Sequence, residues 1–391
     1  MSTGKNRLES IDFLRGLVMI VMALDHVRDL FTNAAFSPTN IAATTGPYFF
    51  TRWITHFCAP VFSLLTGLGA YLWYTRGHHT KVELSRFLAS RGVWLIFLEL
   101  VLTRCFGWAF NFDFQITIAG ILWILGWSML VLAAAIWLPP RAFVAAALVS
   151  IGAHNLLVRI PAPSPSAWWW DFLYRQANIE VTPGHNFFFA YVLIPWYAVM
   201  MAGFALGPVF LWDAPRRKRF LLRAGLAATA LFIVIRGING YGDPAPWTHA
   251  KNAFFTALSF LNTTKYPPSL DFLLMTLGPA LIFLALLDGF QFRRLTPVVI
   301  FGRVPLFYYI LHITAMHFIA IAICAAQFGG VWWMFTSRSI AEFPFLRPPG
   351  WGFGLWGVYL IWAVVVLAMY PLCRWYANVK RRGTSPLFSY L

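Results

Sequence analysis

Long apolar stretches recur along the whole chain and are separated by shorter polar segments. A helix needs about 20 predominantly apolar residues to cross the hydrocarbon core of a bilayer. Ten stretches approach or exceed that length, and the ninth is long enough to be tilted or broken near Pro305. They cover residues 11–32, 47–74, 88–110, 115–138, 141–158, 186–212, 219–238, 270–289, 298–327 and 354–376. The pattern predicts an all-α polytopic membrane protein with about ten transmembrane helices.

The composition excludes most other classes of protein. Of the 391 residues, 59% are hydrophobic and only 11% are charged, whereas about a quarter of a soluble domain is charged. The mean hydropathy of +0.66 is too high for a soluble enzyme or a disordered chain. The four cysteines are scattered without a Cys-x-x-Cys pair, which excludes a disulfide scaffold. No internal repeat or shift in composition marks a boundary, so we expect a single transmembrane domain over residues 1–391.

The positive charge indicates how the chain crosses the membrane. There are 30 Lys and Arg residues against 14 Asp and Glu residues, a formal net charge of +16. Basic residues concentrate in alternate short loops and near both termini, which the positive-inside rule assigns to the cytoplasm. Both termini are therefore predicted to be cytoplasmic, and the charge needs no nucleic-acid partner. The basic residues of these segments are Lys5, Arg7, Arg15, Arg76, Lys81, Arg86, Arg91, Arg141, Arg216, Arg217, Lys218, Arg219, Arg223, Arg293, Arg294, Arg303, Arg374, Lys380, Arg381 and Arg382.

The long loops all fall on the predicted outer side, over residues 159–185, 239–268 and 328–353. They are rich in Trp, Pro and Gly rather than in charged residues. One interpretation is an aromatic belt at the membrane interface. The other is a stacking surface for a sugar-like or lipid-like substrate.

Titratable side chains inside the apolar stretches are candidates for function, because a charge in hydrocarbon is costly. Arg15, His26 and Asp29 lie on one face of the first predicted helix, with His26 about 16 Å further along it than Arg15. His56 lies at a similar predicted depth on the second helix. Consecutive antiparallel helices are usually neighbours, so we expect the two histidines to lie close together. Each is either a general base or a structural core histidine.

Asp25 and Arg52 are candidates to support these histidines. A carboxylate near an imidazole can fix its tautomer and stabilise the imidazolium. However, adjacent residues on a helix point about 100° apart, so Asp25 either supports His26 or serves another helix. Arg52 precedes His56 by one turn and shares its face.

Later stretches carry further polar groups. Glu99 and Arg104 on the third stretch are expected to form a buried ion pair with each other or with Asp25. On the ninth stretch, Tyr309 lies one turn before His312, which predicts a polar cluster. The segment from Asn262 to Asp271 carries Lys265 at the outer mouth, where it could hold an anion or an oxyanion. The spacing of the histidines, cysteines and acidic residues predicts no metal site.

Four segments resemble known membrane acyltransferases. Ser10-Ile-Asp12-Phe-Leu-Arg15-Gly16, with His26 eleven residues after the arginine, resembles the opening motif of the acyltransferase 3 enzymes of the transmembrane acyltransferase superfamily. Residues 51–62, residues 262–278 and the segment from Gly302 to His312 are similar to bacterial relatives of heparan-α-glucosaminide N-acetyltransferase. The resemblance implies a multi-pass enzyme of the bacterial inner membrane and is compatible with an oligomer. Such an enzyme takes an acyl group from cytoplasmic acyl-CoA, typically acetyl-CoA, and passes it to an extracytoplasmic glycan, amino sugar or small-molecule acceptor.

The resemblance and the residue patterns together suggest roles for individual side chains. His26 is expected to act as the general base or as a transient acyl carrier, with His56 as the second candidate and Asp25 in support. Basic residues 76–91, 216–223 and 293–303 would receive the phosphates of CoA at a cytoplasmic mouth. The candidates for substrate binding are Arg15, Arg52, Asn262, Lys265, Tyr309 and His312.

Two other functions are compatible with the sequence. A secondary transporter for a polar metabolite or an anion would use broken helices, for which Pro60 and Pro305 are candidates. Its expected internal repeat is not found, because residues 1–185 do not align with residues 186–391. A structural membrane protein without catalytic activity is the other alternative. Binding or slow hydrolysis of acetyl-CoA would favour the enzyme over both.

Overall fold

The computed structural model describes residues 8–110, 112–164, 167–290, 292 and 295–383. Lys5, Arg7, Arg293 and Arg294, which contribute to the predicted topology, lie outside the described residues. Within the described part, the helices are α1 (Glu9–Phe31), α2 (Gly46–Thr55), α3 (Cys58–Arg76), α4 (Lys81–Phe97), α5 (Ile121–Ala135), α6 (Pro140–Ala153), α7 (Trp168–Leu173), α8 (Trp196–Leu206), α9 (Ala214–Ile238), α10 (Ala253–Leu261), α11 (Leu270–Leu287), α12 (Thr296–Arg303), α13 (Pro305–Phe328) and α14 (Leu355–Arg382). The strands are β1 (Ile116–Ile118), β2 (Ala177–Thr182) and β3 (His185–Phe189). A π-helical segment, Leu98–Trp108, continues α4.

Six helical segments of the described chain are long and apolar enough to cross a membrane. They are Gly46–Arg76, Pro140–Arg159, Ala214–Ile238, Leu270–Leu287, Pro305–Phe328 and Leu355–Arg382. Each corresponds to one of the ten predicted spans, and together they fit a multi-pass membrane protein. Two more of the ten contain the shorter apolar helices Ile121–Ala135 and Trp196–Leu211.

The remaining two predicted spans, 11–32 and 88–110, each contain three or more charged side chains. The first corresponds to α1, which packs against six helices: α2, α3, α11, α12, α13 and α14. Sixteen of its 23 residues are buried, among them Asp12, Asp25 and Arg28. Protein rather than lipid therefore surrounds these charges, which is how ionisable groups are accommodated at membrane depth.

A small mixed sheet departs from the all-α prediction. Its strand order is β1-β3-β2, with β1 parallel and β2 antiparallel to β3. β1 and β3 form the first parts of predicted spans 115–138 and 186–212, so both of these helices begin later than expected. A short apolar run fits a buried strand as well as a helix, and here Phe187 of β3 packs against Trp123 of α5. The periodicity could not separate the two structures.

Reciprocal glycines bring two helix pairs into close contact. A Cβ atom on Gly16 of α1 would lie 1.8 Å from the carbonyl oxygen of Val298, and one on Gly302 of α12 would lie 1.8 Å from that of Asp12. Gly67 and Gly203 play the same part between α3 and α8. Small residues of this kind allow helix backbones to approach closely in membrane proteins. The contact fixes α1 against α12, beside the first cavity described below.

The ninth stretch, expected to be tilted or broken near Pro305, is broken there. α12 ends at Arg303 and α13 begins at Pro305. Proline is favoured in the first turn of a helix, because backbone N–H groups there make no hydrogen bond within the helix. The second stretch also changes direction, because α2 ends at Thr55 and α3 starts at Cys58. Arg52 and His56 consequently lie on either side of the end of α2.

Candidate active site

Three cavities of the helical bundle lie next to one another and share lining residues. The basic cavity, about 640 Å³, is lined by Arg15, Thr66, Trp73, Phe87, Arg91, Met129, Arg303, Pro305, Arg374, Lys380 and Arg381 among others. The throat, about 180 Å³, shares Arg15, Thr66, Arg91, Met129 and Pro305 with the basic cavity. The polar cavity, about 470 Å³, shares Ile121 and Tyr309 with the throat. The throat therefore lies between the other two.

The basic cavity collects cations from four parts of the chain. Six basic side chains line it, and none of its lining residues is acidic. The Nη1 atom of Arg15 donates to the carbonyl oxygen of Gly302 at 3.2 Å, which places this arginine where α1 meets α12. Of the basic segments predicted to receive CoA, Arg91 and Arg303 line the cavity, whereas residues 216–223 do not. The contribution of α14 was missed, because its basic residues were read only as a sign of topology.

The throat is mainly apolar. Its apolar lining consists mainly of Met19, Met22, Phe62, Trp94, Leu95, Leu122 and Leu125. Methionine side chains are flexible and adapt to groups of different shape. The throat is therefore an apolar space that lies between two charged chambers.

Asp25 lies at the centre of a buried charge cluster in the polar cavity. Both of its carboxylate oxygens accept hydrogen bonds from Nη1 of Arg52, with an N–O distance of 2.6 Å to Oδ1. Nη2 of Arg28 lies 2.8 Å from the same oxygen, and Nζ of Lys265 lies 3.9 Å from Oδ2. Asp25 was expected either to support His26 or to bind another helix. It binds another helix, because Arg52 lies on α2. Arg28 was missed, although its position one turn after Asp25 is a usable signal.

The polar cavity carries an excess of positive charge. Its lining includes five basic side chains, of Arg28, Arg52, Arg104, Lys265 and Arg347, against the three acids Asp25, Asp29 and Glu99. Burial acts to raise the pKa of Tyr266, yet Lys265, Arg52 and a hydrogen bond with Tyr191 together leave this pKa below its ordinary value. The surroundings thus favour a negative charge on groups that enter the cavity.

His26 forms a hydrogen-bonded pair with His312. Its Nδ1 atom lies 2.9 Å from Nε2 of His312, and the two ring planes differ by 13°. The ring of Trp108 meets His26 edge-on with a centroid distance of 4.7 Å. Because Nδ1 is engaged, Nε2 is the nitrogen of His26 available to the polar cavity, which this residue lines. The sequence predicted His56 as the neighbour of His26, and nothing in it indicated that His312 of α13 would contact His26.

His56 packs beside the end of α2 and forms no part of the cavity linings. Its ring packs against Phe272 with a centroid distance of 5.3 Å. It is 3% exposed, and its Nδ1 atom makes no hydrogen bond within the described residues.

The other predicted substrate-binding residues divide into two groups. Arg15 lines the basic cavity and the throat, Tyr309 lines the throat and the polar cavity, and Arg52 and Lys265 line the polar cavity. Asn262 lies outside all three and donates from Nδ2 to the carbonyl oxygen of Thr39 at 2.9 Å. The structure gives it the role of a brace between two loops.

Among the described residues, the predicted ion pair between Glu99 and Arg104 is not formed, and Arg104 lies 3.7 Å from Asp113 instead. Its Oε2 atom accepts hydrogen bonds from the backbone N–H groups of Leu122, at 2.7 Å, and Trp123. Glu99 thus satisfies the first turn of α5, where a carboxylate is favoured by the helix dipole. Arg104 also donates to the carbonyl oxygen of Ile116. Unpaired backbone donors are invisible in a sequence, so this partnership could not be anticipated.

Comparison with known proteins identifies a family. The family model described as heparan-alpha-glucosaminide N-acetyltransferase, catalytic, matches residues 7–239, more than half of the chain. No curated protein matches the chain. Within the described residues, no three His, Cys, Asp or Glu side chains come together to hold a metal ion. The matched range contains α1 to α9 and therefore both His26 and Asp25.

Proposed function

This chain belongs to the heparan-alpha-glucosaminide N-acetyltransferase family, and on that premise we propose that it transfers an acetyl group from acetyl-CoA to an acceptor across the membrane. One observation carries the proposal: a chamber lined by six cations, an apolar throat and a cavity lined by His26 follow one another, and each shares lining residues with the next. The family uses acetyl-CoA as donor, and this path separates a place for its phosphates from a place for its thioester.

The donor enters from the basic cavity. CoA carries several phosphate charges, and arginine side chains bind phosphate through charge-assisted hydrogen bonds. The positive-inside rule assigns the basic side to the cytoplasm, where acetyl-CoA is made. Arg15, at the inner edge of this cavity, marks the point from which the slender acylated arm continues into the throat. In a bacterium this membrane is the cytoplasmic membrane.

His26 acts on the acceptor where the thioester emerges. The acceptor nitrogen or oxygen attacks the thioester carbonyl carbon while its proton moves to Nε2 of His26. The carbon–sulfur bond then breaks, and the proton passes from Nε2 to the departing sulfur of CoA. A positioned base of this kind contributes roughly 10²–10⁴-fold to the rate. An acyl-histidine intermediate would use the same nitrogen, and acid quenching of a single turnover with labelled donor distinguishes the two routes.

The charges of the polar cavity select and orient the acceptor. Lys265 is 8% exposed and stands 3.9 Å from Asp25, and its ammonium group makes no hydrogen bond within the described residues. It is therefore placed to stabilise the oxyanion of the tetrahedral intermediate or a negative group on the acceptor. Asp25 holds Arg52 and Arg28 in position rather than touching the imidazole of His26. We assign no chemical step to His56, because it lines none of the cavities.

Aromatic rings in the polar cavity fit a sugar-like acceptor. Trp108, Tyr191, Tyr266 and Phe343 line it between the charged groups. Their flat apolar faces match the CH face of a pyranose ring, and the surrounding cations match acidic groups of a glycan. An extracytoplasmic glycan or amino sugar is therefore the acceptor that we propose.

The test is the transfer of labelled acetyl from acetyl-CoA to glucosamine by purified protein in detergent. We expect the wild type to transfer the label and His26→Ala to lose at least 100-fold in rate, within the range of a general base. CoA binding measured by calorimetry should persist in that variant, because His26 does not line the basic cavity. The substitution His185→Ala, at an exposed position of β3, is the control. Full activity of His26→Ala refutes the assignment, and indifference of the wild type to acetyl-CoA combined with solute uptake in vesicles favours a transporter.

A further inference from the structure

The hydrogen bonds around His312 have only one consistent direction. Nδ1 of His312 lies 2.7 Å from the carbonyl oxygen of Tyr308, one turn earlier on α13. A carbonyl oxygen can only accept, so Nδ1 of His312 must carry the hydrogen. In a neutral ring the other nitrogen, Nε2, then has a lone pair and accepts. Its partner at 2.9 Å is Nδ1 of His26, which must therefore be the donor.

The charge state of His312 supports this direction. The residue is 0% exposed, and no carboxylate of the described residues forms a hydrogen bond or salt bridge with it. An isolated charge in such a place is costly, so the neutral ring is the relevant form. The ring planes of His26 and His312 differ by 13° with centroids 5.1 Å apart, and the shared hydrogen lies near the plane of both rings.

We propose that His312 is a positioning residue that fixes His26 in the tautomer with hydrogen on Nδ1 and a lone pair on Nε2. The carbonyl oxygen of Tyr308 accepts from Nδ1 of His312, and Nε2 of His312 accepts from Nδ1 of His26. Nε2 of His26 then faces the polar cavity with its lone pair. The inference rests on the proposed function and replaces the expectation that His312 binds substrate. A sequence could not reveal it, because the two histidines are 286 positions apart.

The same arrangement supports the proton transfer. When Nε2 of His26 takes the proton of the acceptor, the ring becomes an imidazolium whose Nδ1–H still points to the lone pair of His312. A hydrogen bond to a charged group is stronger than one between neutral groups. His312 therefore stabilises the charged intermediate without itself gaining or losing a proton, and the proton on Nε2 goes to the leaving sulfur.

Two substitutions separate this role from simple packing. His312→Leu removes the acceptor, and we expect kcat to fall about 10- to 100-fold, as for one hydrogen bond to a charged group. The KM for acetyl-CoA should stay within about twofold, because His312 lines none of the three cavities. His312→Gln offers its side-chain oxygen near the position of Nε2 and should recover most of the loss. Equal loss in both variants, or a loss confined to KM, contradicts the proposal.

Nitrogen NMR of protein labelled with ¹⁵N-histidine tests the tautomer without any substrate. The signals of His26 are identified by their absence in His26→Gln. We expect hydrogen on Nδ1 and none on Nε2 in the wild type, and a mixture of both tautomers in His312→Leu. The control is His154→Gln, since His154 is a buried histidine that also contacts backbone carbonyl groups but lines none of the three cavities.

The two outcomes of this experiment are distinct from those of the transfer assay. If His26 keeps hydrogen on Nδ1 in His312→Leu, or carries it on Nε2 in the wild type, His312 does not set the tautomer. If the tautomer follows His312 while the wild type transfers no acetyl group, the pair exists and the proposed function fails.

Discussion

The basic cavity predicts a specific weakness in CoA binding when one of its cations is removed. Arg374 of α14 lines this cavity and is exposed in the structure, so its guanidinium is accessible to an incoming phosphate. A hydrogen bond to a charged group contributes about 1.5–3 kcal/mol. Because the cavity is open to solvent and salt, we take the lower end, about 1.5 kcal/mol, which corresponds to a roughly tenfold change in Kd.

The substitution is Arg374→Gln, and the measurement is calorimetric titration of the detergent-solubilised protein with CoA. We expect Kd to rise about tenfold at low salt and the difference from the wild type to shrink as the salt concentration increases. Pantetheine lacks the nucleotide and its phosphates, so its binding should not change. The maximal rate with saturating acetyl-CoA should also be retained, because this residue touches neither the throat nor the polar cavity.

Arg382→Gln is the matched control. It removes the same charge from the last residue of the same helix, at an exposed position that does not line the basic cavity. Its Kd for CoA should stay within about twofold of the wild type, since a distant exposed charge is screened. Equal weakening by both substitutions, or an equal effect of Arg374→Gln on pantetheine, would show that the cavity does not receive the phosphates.

Three further substitutions test the frame around the site. Asp25→Asn leaves buried cations without their partner and should lower the free energy of unfolding by about 3–5 kcal/mol, measured as a lower Tm. Asp29→Asn, at a half-exposed carboxylate, should lower it by less than about 1 kcal/mol. Similar losses in both variants would contradict the central role of Asp25. Gly16→Ala places a methyl group 1.8 Å from a carbonyl oxygen of α12. It should therefore separate α1 from α12 beside the basic cavity and lower both Tm and CoA affinity. Gly152→Ala, which has no neighbouring atom within 4 Å, should lower neither. Met19→Trp fills the throat, so acetyl transfer should fall at least tenfold while adenosine 3′,5′-bisphosphate still binds, and undiminished transfer would mean that the thioester takes another path.

The apolar pattern predicted the helical membrane class, and charge spacing predicted several residues of the site. Six predicted spans correspond to long apolar helices, and the break near Pro305 is one of the two outcomes, tilt or break, expected from the length of the ninth stretch. The charged helix α1 shows the limit of this reasoning, because hydropathy alone does not say whether a charge faces lipid or protein. In the described chain the answer comes from packing, since α1 contacts six other helices.

The contacts inside the site needed the tertiary structure. Asp25 and Arg52 could be placed on neighbouring helices, because a short connection joins them. The partner of His26, by contrast, lies on α13, and no local spacing relates the two. Glu99 was assigned a cation by its charge, although backbone N–H groups at the start of α5 satisfy it instead. Long-range order of the helices decides such partners, and periodicity carries no information about it.

Sidedness is the most direct test of transfer through the bundle. Sealed proteoliposomes receive labelled acetyl-CoA outside and contain glucosamine inside, so that donor and acceptor meet only through the protein. We predict that label accumulates on the trapped glucosamine in wild-type vesicles and not in vesicles with His26→Ala. Transfer that occurs only when donor and acceptor are placed on the same side would contradict a path from the basic cavity through the throat to His26.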